Sequence, residues 1–502
     1  MSAAKPPSRT PRATPARQVA LDVTRQVRLR DAHAHSLIET QVRTAALPQE
    51  ERDFATLLIL GVVATLGELD YLLDRALTKG SIEPRVRDAL RIAVYELFFL
   101  HKEPHIAVNQ GVELVRGLAP RATGFANKVL RETAKLKDEF PFGDPTASAQ
   151  ALAHEQAFPL WLAERLIADL GFHSAAAFMA ASNLPAPVFL AELETGVMRT
   201  IVPAELAAHL PRIEAGELIV ADASAQAVAT LVVAALAATT LATTPAPTVR
   251  QGSSTSSVRQ TAAWAPSIPD NLKAPSIPPV RQTAPVPPAA LRPAVAFLEV
   301  GSGRGTKTVL IQRAAARLYG VQPQLYALDL HEFKRAILRE RIDRYRLKNV
   351  TPLTGDAIHL TEVLTAYAAP QVFGAALIDA PCSGTGTLRR HPEIRWRLTP
   401  AHVTAMAAQG LALLTAVAPH IEPGGSLIYS TCSVLCEENE QVIEAFLASP
   451  RGSDFTLSAS KPAVDAQEVN HAECVRHPPN PLRTILTPGS PDAHFAARLV
   501  RL

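Results

Sequence analysis

Cysteine is scarce in this chain. Its 502 residues include four cysteines, which are Cys382, Cys432, Cys436 and Cys474. So few thiols do not make a disulfide framework, and no secretory signal precedes them, so we expect reduced thiols and a cytoplasmic protein. Their spacing also differs from that of a zinc knuckle, so the sequence predicts no metal site.

Long apolar runs and a strong excess of charge are lacking too. The longest apolar run, Ala225 to Ala242, is interrupted by Gln226 and several threonines, which predicts a buried helix and no membrane span. The formal net charge is only +3, from 50 Lys and Arg against 47 Asp and Glu. Basic residues cluster locally, eight against three acids in residues 1–45 and seven against three in residues 331–348. Each cluster is either a phosphate-facing surface or a solvated helix face.

The chain is too long for a single hydrophobic core. At roughly 150 residues per domain, a chain of this length predicts about three units. Periodicity and composition divide it into a basic disordered tail (1–13), an all-α domain (14–140), a connecting α/β segment (145–242), a disordered insertion rich in proline, serine and threonine (243–293) and an α/β domain (294–502). Thr14 and Pro15 predict the cap and first residue of the first helix.

The insertion differs from the rest of the chain in composition. Residues 243–293 contain 11 of the 41 prolines and one acid, Asp270. The pentapeptide Val258–Ala262 recurs as Val280–Ala284. Such a segment buries too little apolar surface to offset the entropy of ordering it, so we expect it to be disordered.

Strands alternate with helices in the last two hundred residues. The predicted strands are Ala296–Val300, Gln324–Leu330, Thr351–Gly355, Phe373–Ile378, Ser426–Thr431 and Phe495–Arg501. Helices between them, notably Lys334–Leu347 and His402–Ala418, complete the pattern of a doubly wound parallel sheet. The sequence therefore predicts a Rossmann-like α/β domain preceded by an all-α domain.

A glycine-rich loop follows the first of these strands. It consists of Gly301, Ser302, Gly303, Arg304, Gly305, Thr306 and Lys307. Alternate glycines keep Cβ atoms away from a ligand, and the next helix offers unpaired N–H groups, as in a NAD site. The acids Asp329, Asp356 and Asp379 at later strand ends favour S-adenosylmethionine, because they suit its hydroxyls, amine and sulfonium and would repel a pyrophosphate.

Two cysteines stand at the carboxyl ends of predicted strands. Cys382 comes shortly after Phe373–Ile378, and Cys432 directly follows Ser426–Thr431. In one parallel sheet both thiols face the same crevice. A thiolate that adds to C6 of a pyrimidine makes C5 able to accept a methyl group. Because a free thiol has a pKa of about 8.5, we expect a nearby cation such as Lys307 to activate it.

The all-α segment resembles the NusB family of antitermination factors. The likeness rests on Ala16-Arg17, Arg52-Asp53-Phe54, Gly61, Leu69-Asp70, Leu90–Leu97, His105–Asn109 and Phe125–Arg131. Domains of this family bind RNA or pack against partners. Nothing in the segment indicates catalysis.

The C-terminal segment resembles the RNA 5-methylcytosine methyltransferases of the NOP2/Sun family, one branch of which also carries a NusB-like domain. The likeness rests on Asp379–Gly386, Arg389–Trp396, Tyr429–Val434 and Glu438–Glu440. It implies transfer of a methyl group from S-adenosylmethionine to C5 of a cytosine in RNA, with small-subunit (16S) ribosomal RNA as the expected substrate. We expect a monomer that binds RNA and no membrane.

The same resemblance implies roles for individual residues. By it, Cys432 is the nucleophile, Cys382 assists product release and Asp379 contacts the base. The residues implied to hold the donor are Gly301 to Lys307, Asp329 and Asp356. The residues implied to lie near the RNA are Arg389, Arg390 and Trp396, whose guanidinium groups and indole suit phosphates and bases.

Three stretches differ from the family's usual motifs. Residues 301–308 replace Cys-Ala-Ala-Pro-Gly-Gly-Lys-Thr, no Leu-Arg-x-Asn motif is visible at Phe189–Glu194, and Asp492–Phe495 stands where Asp-Gly-Phe-Phe is usual. We assign no role to the last stretch. The alternatives are a methyltransferase for transfer RNA or large-subunit RNA, a non-catalytic RNA-binding scaffold and a NAD-dependent enzyme.

Overall fold

A helical bundle forms the N-terminal part of the computed structural model, which describes residues 13–242, 296–458 and 482–502. Its helices are α1 (Pro15–Arg30), α2 (Ala34–Leu37), α3 (Gln49–Ala64), α4 (Leu66–Arg75), α5 (Pro84–Phe98), α6 (Pro104–Leu118) and α7 (Thr123–Lys135). Helix α5 is buried along most of its length and forms the centre of the bundle. The predicted all-α domain is confirmed.

An ion pair ties the first helix to the centre of this bundle. Pro15 begins α1, as predicted, but the Thr14 hydroxyl accepts a 2.8 Å hydrogen bond from the Arg17 side chain and caps no backbone N–H. Arg17 also donates two hydrogen bonds, of 2.8 and 2.5 Å, to the fully buried carboxylate of Glu96 in α5. Burial of these charges is tolerated because each has its partner.

A connecting segment leads from the bundle to the large sheet. It contains α8 (Ala149–Gln156), α9 (Leu160–Leu170), α10 (Phe172–Ser182), β1 (Val188–Glu192), β2 (Met198–Ile201), α11 (Leu206–Glu214), β3 (Leu218–Val220) and α12 (Ala223–Ala242). The three strands form an antiparallel sheet in the order β2-β1-β3. Helix α12 is the alanine-rich helix of the sequence. Its Val228, Val232 and Leu236 are fully buried in a core shared with the large sheet, as predicted.

The large sheet is mostly parallel. Its strands are β4 (Ala296–Val300), β5 (Gln324–Asp329), β6 (Val350–Thr354), β7 (Phe373–Asp379), β8 (Ile421–Thr431), β9 (Phe455–Leu457), β10 (Leu482–Arg483) and β11 (Phe495–Arg501). Strands β4 to β8 run parallel in the order β8-β7-β4-β5-β6, and β11 pairs antiparallel with β8. Strands β4 and β11 have the predicted bounds, whereas β8 begins earlier than predicted.

Helices cover both faces of this sheet. They are α13 (Thr306–Tyr319), α14 (Glu332–Arg344), α15 (Leu360–Ala366), α16 (Ile394–Arg397), α17 (Pro400–Val417) and α18 (Glu440–Leu447). Helices α12 and α13 share one core with the sheet, and α17 shares the other. The helical stretch Pro400–His420 has the length and composition of a membrane span, but its Leu413, Leu414 and Val417 are buried in the core. The predicted Rossmann-like α/β fold is confirmed.

The strand order reverses beside β4. The chain runs outward through β5 and β6 and then returns to the opposite side of β4 for β7 and β8. Parallel sheets bind ligands in the crevice that opens at such a switch point, outside the carboxyl ends of the strands. Residues 1–12, the proline-rich insertion and Cys474, for which we made predictions above, lie outside the described residues.

Candidate active site

The glycine-rich loop leaves the sheet at this crevice. Gly301 follows β4 with a φ of +78°, and a Cβ there would lie 2.4 Å from the backbone oxygen of Asp379 at the end of β7. Only glycine fits this close approach. Gly303 also has a positive φ, of +57°, and there is room beside it, since the nearest atom to a Cβ at this position would be the backbone oxygen of Gly301, 3.9 Å away. The loop thus packs closely on β7 while leaving room for a ligand.

The remaining residues of the loop differ in burial, and two of them contact helix α14. Ser302 is buried and Arg304 is exposed. The Thr306 hydroxyl accepts a 2.8 Å hydrogen bond from Arg341 of α14. Gly305 approaches Leu338 of the same helix, since a Cβ there would lie 2.4 Å from its side chain. Helix α14 therefore supports the far side of the loop.

Asp329 holds the loop from the end of β5. Its carboxylate accepts hydrogen bonds from the N–H groups of Gly303, at 2.9 Å, and His331, at 3.0 Å. The ammonium of Lys334 lies 3.3 Å away and balances its charge. The carboxylate is thereby fixed against the glycine loop, where it suits the hydroxyls of a ribose.

Asp356 lies at the end of the next strand, β6. It is exposed, and one of its oxygens accepts the N–H of Ile358 at 2.9 Å. Exposed apolar side chains also follow these two strand ends, namely Leu330, Phe333 and Ile358. Apolar side chains beside a carboxylate fit an adenine, whose ring is flat and apolar and whose amine is a donor. These residues fit an adenosyl group.

Two thiols meet at the ends of β7 and β8. The sulfur atoms of Cys382 and Cys432 lie 3.3 Å apart, and both side chains are half-buried. The hydrogen bond to Cys432, together with burial, raises the pKa of Cys382. Either sulfur can donate the proton of this contact. Cys436 is buried, and its N–H donates to Asp169 of α9, away from the thiol pair.

Lys307 supplies the positive charge of the site. Its ammonium donates to the Asp379 carboxylate at 2.7 Å. Burial alone would lower the pKa of Lys307, but Asp379 outweighs burial and the net pKa is raised, with a further contribution from Cys432. One ammonium thus acts on both the carboxylate and the sulfur.

Glu299, a buried acid of β4, lies near this ion pair. Burial raises the pKa of Glu299 to about 8, although the Thr308 hydroxyl donates to it at 2.6 Å. Its other oxygen is buried without a hydrogen-bond partner. At neutral pH Glu299 is therefore mostly uncharged and does not compete with Asp379 for Lys307.

Glu438 fixes the two loops that carry the thiols. Its carboxylate accepts 2.6 Å hydrogen bonds from both the backbone N–H and the hydroxyl of Ser383, next to Cys382, and a further one from the hydroxyl of Ser433, next to Cys432. Burial raises the pKa of Glu438 against the effect of these donors. The short distance between the thiols is thus maintained by a buried carboxylate.

The first two residues predicted near RNA make contacts within the protein. The Arg389 side chain is fully buried and lies 3.3 Å from Asp492, and Arg390 donates to Asp492 at 2.6 Å and to Asp222 at 3.1 Å. The Arg390 side chain is 29% exposed, so only it retains a solvent-facing surface. Asp492, to which the sequence analysis assigned no role, is the shared partner of both arginines.

Trp396 lies between the helical bundle and the catalytic domain. Its indole N–H donates to the backbone oxygen of Ala64 at 2.8 Å. A Cβ on Gly67 would lie 2.2 Å from its ring. The preceding residue, Arg395, is fully buried, and its guanidinium carbon lies 3.8 Å from the centre of the Phe158 ring. Helix α16 therefore anchors the bundle to the loop that begins at Cys382.

A polar chain that the sequence analysis missed reaches the crevice. The Ser224 hydroxyl donates to Asp222 at 2.6 Å and lies 2.7 Å from Nδ1 of His494. Burial lowers the pKa of His494 to about 4, with the nearby positive charge of Lys307 adding to the shift. His494 is therefore neutral at physiological pH. The sequence contains one local signal, since His494 lies in the stretch that differs from the usual Asp-Gly-Phe-Phe motif, but its partner Ser224 is 270 positions away.

The chain is similar in sequence to known proteins and to two family models. Residues 290–500 match the family model described as 16S rRNA methyltransferase RsmB/F, and residues 14–135 match the NusB family model. A Synechocystis protein named "Probable ribosomal RNA small subunit methyltransferase B" is 29% identical over 444 residues, which cover 86% of this chain and 89% of the relative. Ribosomal RNA small subunit methyltransferase B of Thermus thermophilus is 27% identical over 421 residues, which cover 84% of each.

The fold also has a match among solved structures. The crystal structure of the protein PH0851 covers 97% of this chain and 99% of its own, with a TM-score of 0.65 and 19% identity. The resemblance stated from the sequence and the predicted donor, S-adenosylmethionine, are confirmed. With both family models matched in order along one chain and relatives aligned over most of its length, residues 14–135 form a domain of the NusB family and residues 290–500 form an S-adenosylmethionine-dependent methyltransferase domain of the RsmB/F family of rRNA methyltransferases.

Proposed function

We propose that this protein methylates C5 of a cytosine in 16S ribosomal RNA through a transient bond between Cys432 and C6. The observation that carries the proposal is the pair of sulfur atoms 3.3 Å apart at the carboxyl ends of β7 and β8. Methyl transfer to nitrogen or oxygen needs no sulfur nucleophile. Carbon 5 of cytosine does need one, because the ring accepts a methyl group only after a nucleophile has added to C6.

Cys432 is proposed as the nucleophile because its sulfur interacts electrostatically with the ammonium of Lys307, whereas the raised pKa of Cys382 disfavours the thiolate of the other cysteine. A cation near a sulfur favours the thiolate. The thiolate adds to C6, and C5 then takes the methyl group that the sulfonium of S-adenosylmethionine supplies. Loss of the C5 proton and expulsion of the thiolate restore the aromatic ring.

Asp379 is proposed to contact the base. Its side chain is 29% exposed beside the thiols, and its carboxylate can accept from the exocyclic amine of cytosine. Lys307 orients this carboxylate through the 2.7 Å contact. A uracil presents no donor at the same position, so this contact favours cytosine.

Cys382 is proposed to assist product release. The contact with Cys432 and burial raise the pKa of Cys382 and so favour a neutral thiol, and its sulfur lies 3.3 Å from that of Cys432, close enough to donate a hydrogen bond. When Cys432 leaves C6, negative charge develops on its sulfur, and a hydrogen bond from Cys382 stabilises that charge. Without this donor the adduct persists.

The donor is proposed to lie along the strand ends β4, β5 and β6. The residues that would hold it are Gly301 to Lys307, Asp329 and Asp356. The open space at Gly303 and the fixed carboxylate of Asp329 support this assignment. For Arg389, Arg390 and Trp396 we infer an indirect role in RNA binding, since their contacts within the protein set the shape of the loop after Cys382.

The test uses two single variants with an in vitro 16S rRNA transcript and S-adenosylmethionine. Cys382→Ala should accumulate RNA covalently bound to protein, seen as a denaturant-resistant band, whereas Cys432→Ala should give neither band nor product. Undiminished methylation by Cys432→Ser, or an adduct in Cys432→Ala only, would contradict the assignment. Bisulfite sequencing with transfer RNA and 23S rRNA as competitors tests the rival substrates, and methylation of any of these RNAs excludes the non-catalytic scaffold.

A further inference from the structure

Three potential metal ligands meet where the helical bundle contacts α16. His33 directly precedes α2 of the bundle, and His391 and Glu393 lie just before α16. One ligand atom from each residue lies within 4.8 Å of the other two. His33 and Glu393 are 360 positions apart in the sequence, so cysteine spacing, on which the prediction of no metal site rested, could not indicate this group.

The distances between the ligand atoms suit a tetrahedral ion. Nδ1 of His33 lies 2.8 Å from Oε1 of Glu393, and Nδ1 of His391 lies 3.7 Å from the same oxygen. Ligand atoms bound at about 2.0–2.1 Å in a tetrahedral Zn²⁺ site are separated by about 3.3 Å. The two observed distances lie on either side of this value.

Two of these residues have buried polar atoms without partners. Nδ1 of His391 and Oε2 of Glu393 are both buried and make no hydrogen bond. Glu393 is only 4% exposed. A buried polar atom without a hydrogen-bond partner destabilises the fold, so a ligand that engages these two atoms is favoured.

The opposite side of the group is open. The side chains of His33 and His391 are 65% and 41% exposed, respectively. An ion can therefore enter from solvent, and water can complete its coordination shell.

We propose that His33, His391 and Glu393 bind one Zn²⁺ ion that joins the helical bundle to the loop carrying Cys382. Two imidazole nitrogens and one carboxylate oxygen suit Zn²⁺ and disfavour Mg²⁺ and Ca²⁺, which prefer oxygen ligands alone. The ion fixes α16 against the bundle and takes no part in methyl transfer. Because the proposal concerns ligands outside the crevice, it is independent of the function proposed above.

The first test measures zinc binding directly. Full-length protein treated with a chelator is titrated with ZnCl₂ by calorimetry, alongside His33→Ala, Glu393→Gln and His402→Ala. His402 is an exposed histidine on α17 and serves as the matched control. We expect one Zn²⁺ per chain, binding weakened at least about 10-fold in the first two variants and unchanged in His402→Ala. Equal affinities in all four proteins would overturn the proposal.

The second test identifies the ligand atoms. Co²⁺ is added in place of Zn²⁺, and its visible absorption should show tetrahedral coordination without the sulfur-to-metal charge-transfer band that thiolate ligands produce. A charge-transfer band that disappears in Cys432→Ala would place the ion on the thiols and refute the proposal. Methylation is assayed separately in the same proteins. A protein that methylates RNA but binds no Zn²⁺ would refute this inference alone, and a protein that binds Zn²⁺ but does not methylate RNA would refute the proposed function alone.

Discussion

The ammonium of Lys307 lies 2.7 Å from the carboxylate of Asp379, and the same cation acts electrostatically on Cys432. One lysine from the start of α13 thus connects the acid at the end of β7 with the thiol at the end of β8. Glu299 below the pair is mostly neutral at physiological pH because burial raises its pKa to about 8. The positive charge is therefore directed at the two groups proposed to act on the cytosine.

Lys307→Met should reduce methylation at neutral pH by about 10²-fold, because an electrostatic contact of this kind typically contributes that much. Single-turnover methylation at neutral pH measures this loss. Lys334→Met is the control, because Lys334 contacts Asp329 and not the thiols; an equal loss of rate in this variant would contradict the argument.

Gly301→Ala should abolish S-adenosylmethionine binding. The new methyl group would lie 2.4 Å from the backbone oxygen of Asp379, so the loop and β7 must separate. The matched control is Gly320→Ala, which has a similar φ of +72° but no atom within 4 Å of the added Cβ. The control should lose only about 1 kcal/mol of stability and keep donor binding. Calorimetric titration with S-adenosylmethionine and urea unfolding separate the two effects.

His494 should make the fold acid-sensitive. Its pKa is lowered to about 4 in the folded state by burial, whereas an unfolded histidine titrates near pH 6.5. Between these values the unfolded chain binds a proton that the folded chain does not, so stability falls as the pH decreases through this window and is unaffected above it. The contribution is at most about 3 kcal/mol.

The measurement is the free energy of unfolding in urea at pH 7 and pH 5 for wild type and His494→Phe. The variant introduces the residue that the family usually carries at this position. It should lose less stability than wild type on acidification. The exposed control His402→Phe should follow the wild-type profile, and a His494→Phe protein that does so too would disprove the role of His494.

Trp396→Ala should destabilise the contact between the bundle and the catalytic domain by about 3 kcal/mol, because it removes a packed ring and leaves the Ala64 oxygen without its donor. Trp396→Phe keeps most of the ring and should lose about 1 kcal/mol. Urea unfolding followed by fluorescence or circular dichroism measures the loss. If Trp396 instead stacked on RNA, Trp396→Ala would weaken RNA binding without altering the unfolding midpoint.

The sequence by itself determined the fold class and most of the crevice. Strands and helices can be predicted from the spacing of apolar residues, because this spacing is a local property of the sequence. The bounds of β4 and β11 were therefore predicted as observed. Gly301, Asp329, Cys382 and Cys432 were identifiable because each stands at a strand end, and a parallel sheet brings its carboxyl ends to one edge. The bounds of β8 were less accurate, since Pro423 and Gly424 interrupt its apolar pattern.

Only the tertiary structure decided which charged side chains serve the fold. Arg389 and Arg390, which the sequence predicts near the RNA, also form ion pairs with Asp492 and Asp222, and these acids come from distant parts of the chain. The groups formed by Ser224 with His494, and by His33 with Glu393, were equally invisible. The hydrophobic pattern of the sequence indicates which face of a helix or strand is buried. The partner of a polar side chain depends instead on long-range packing, which brings together residues that are far apart in the sequence.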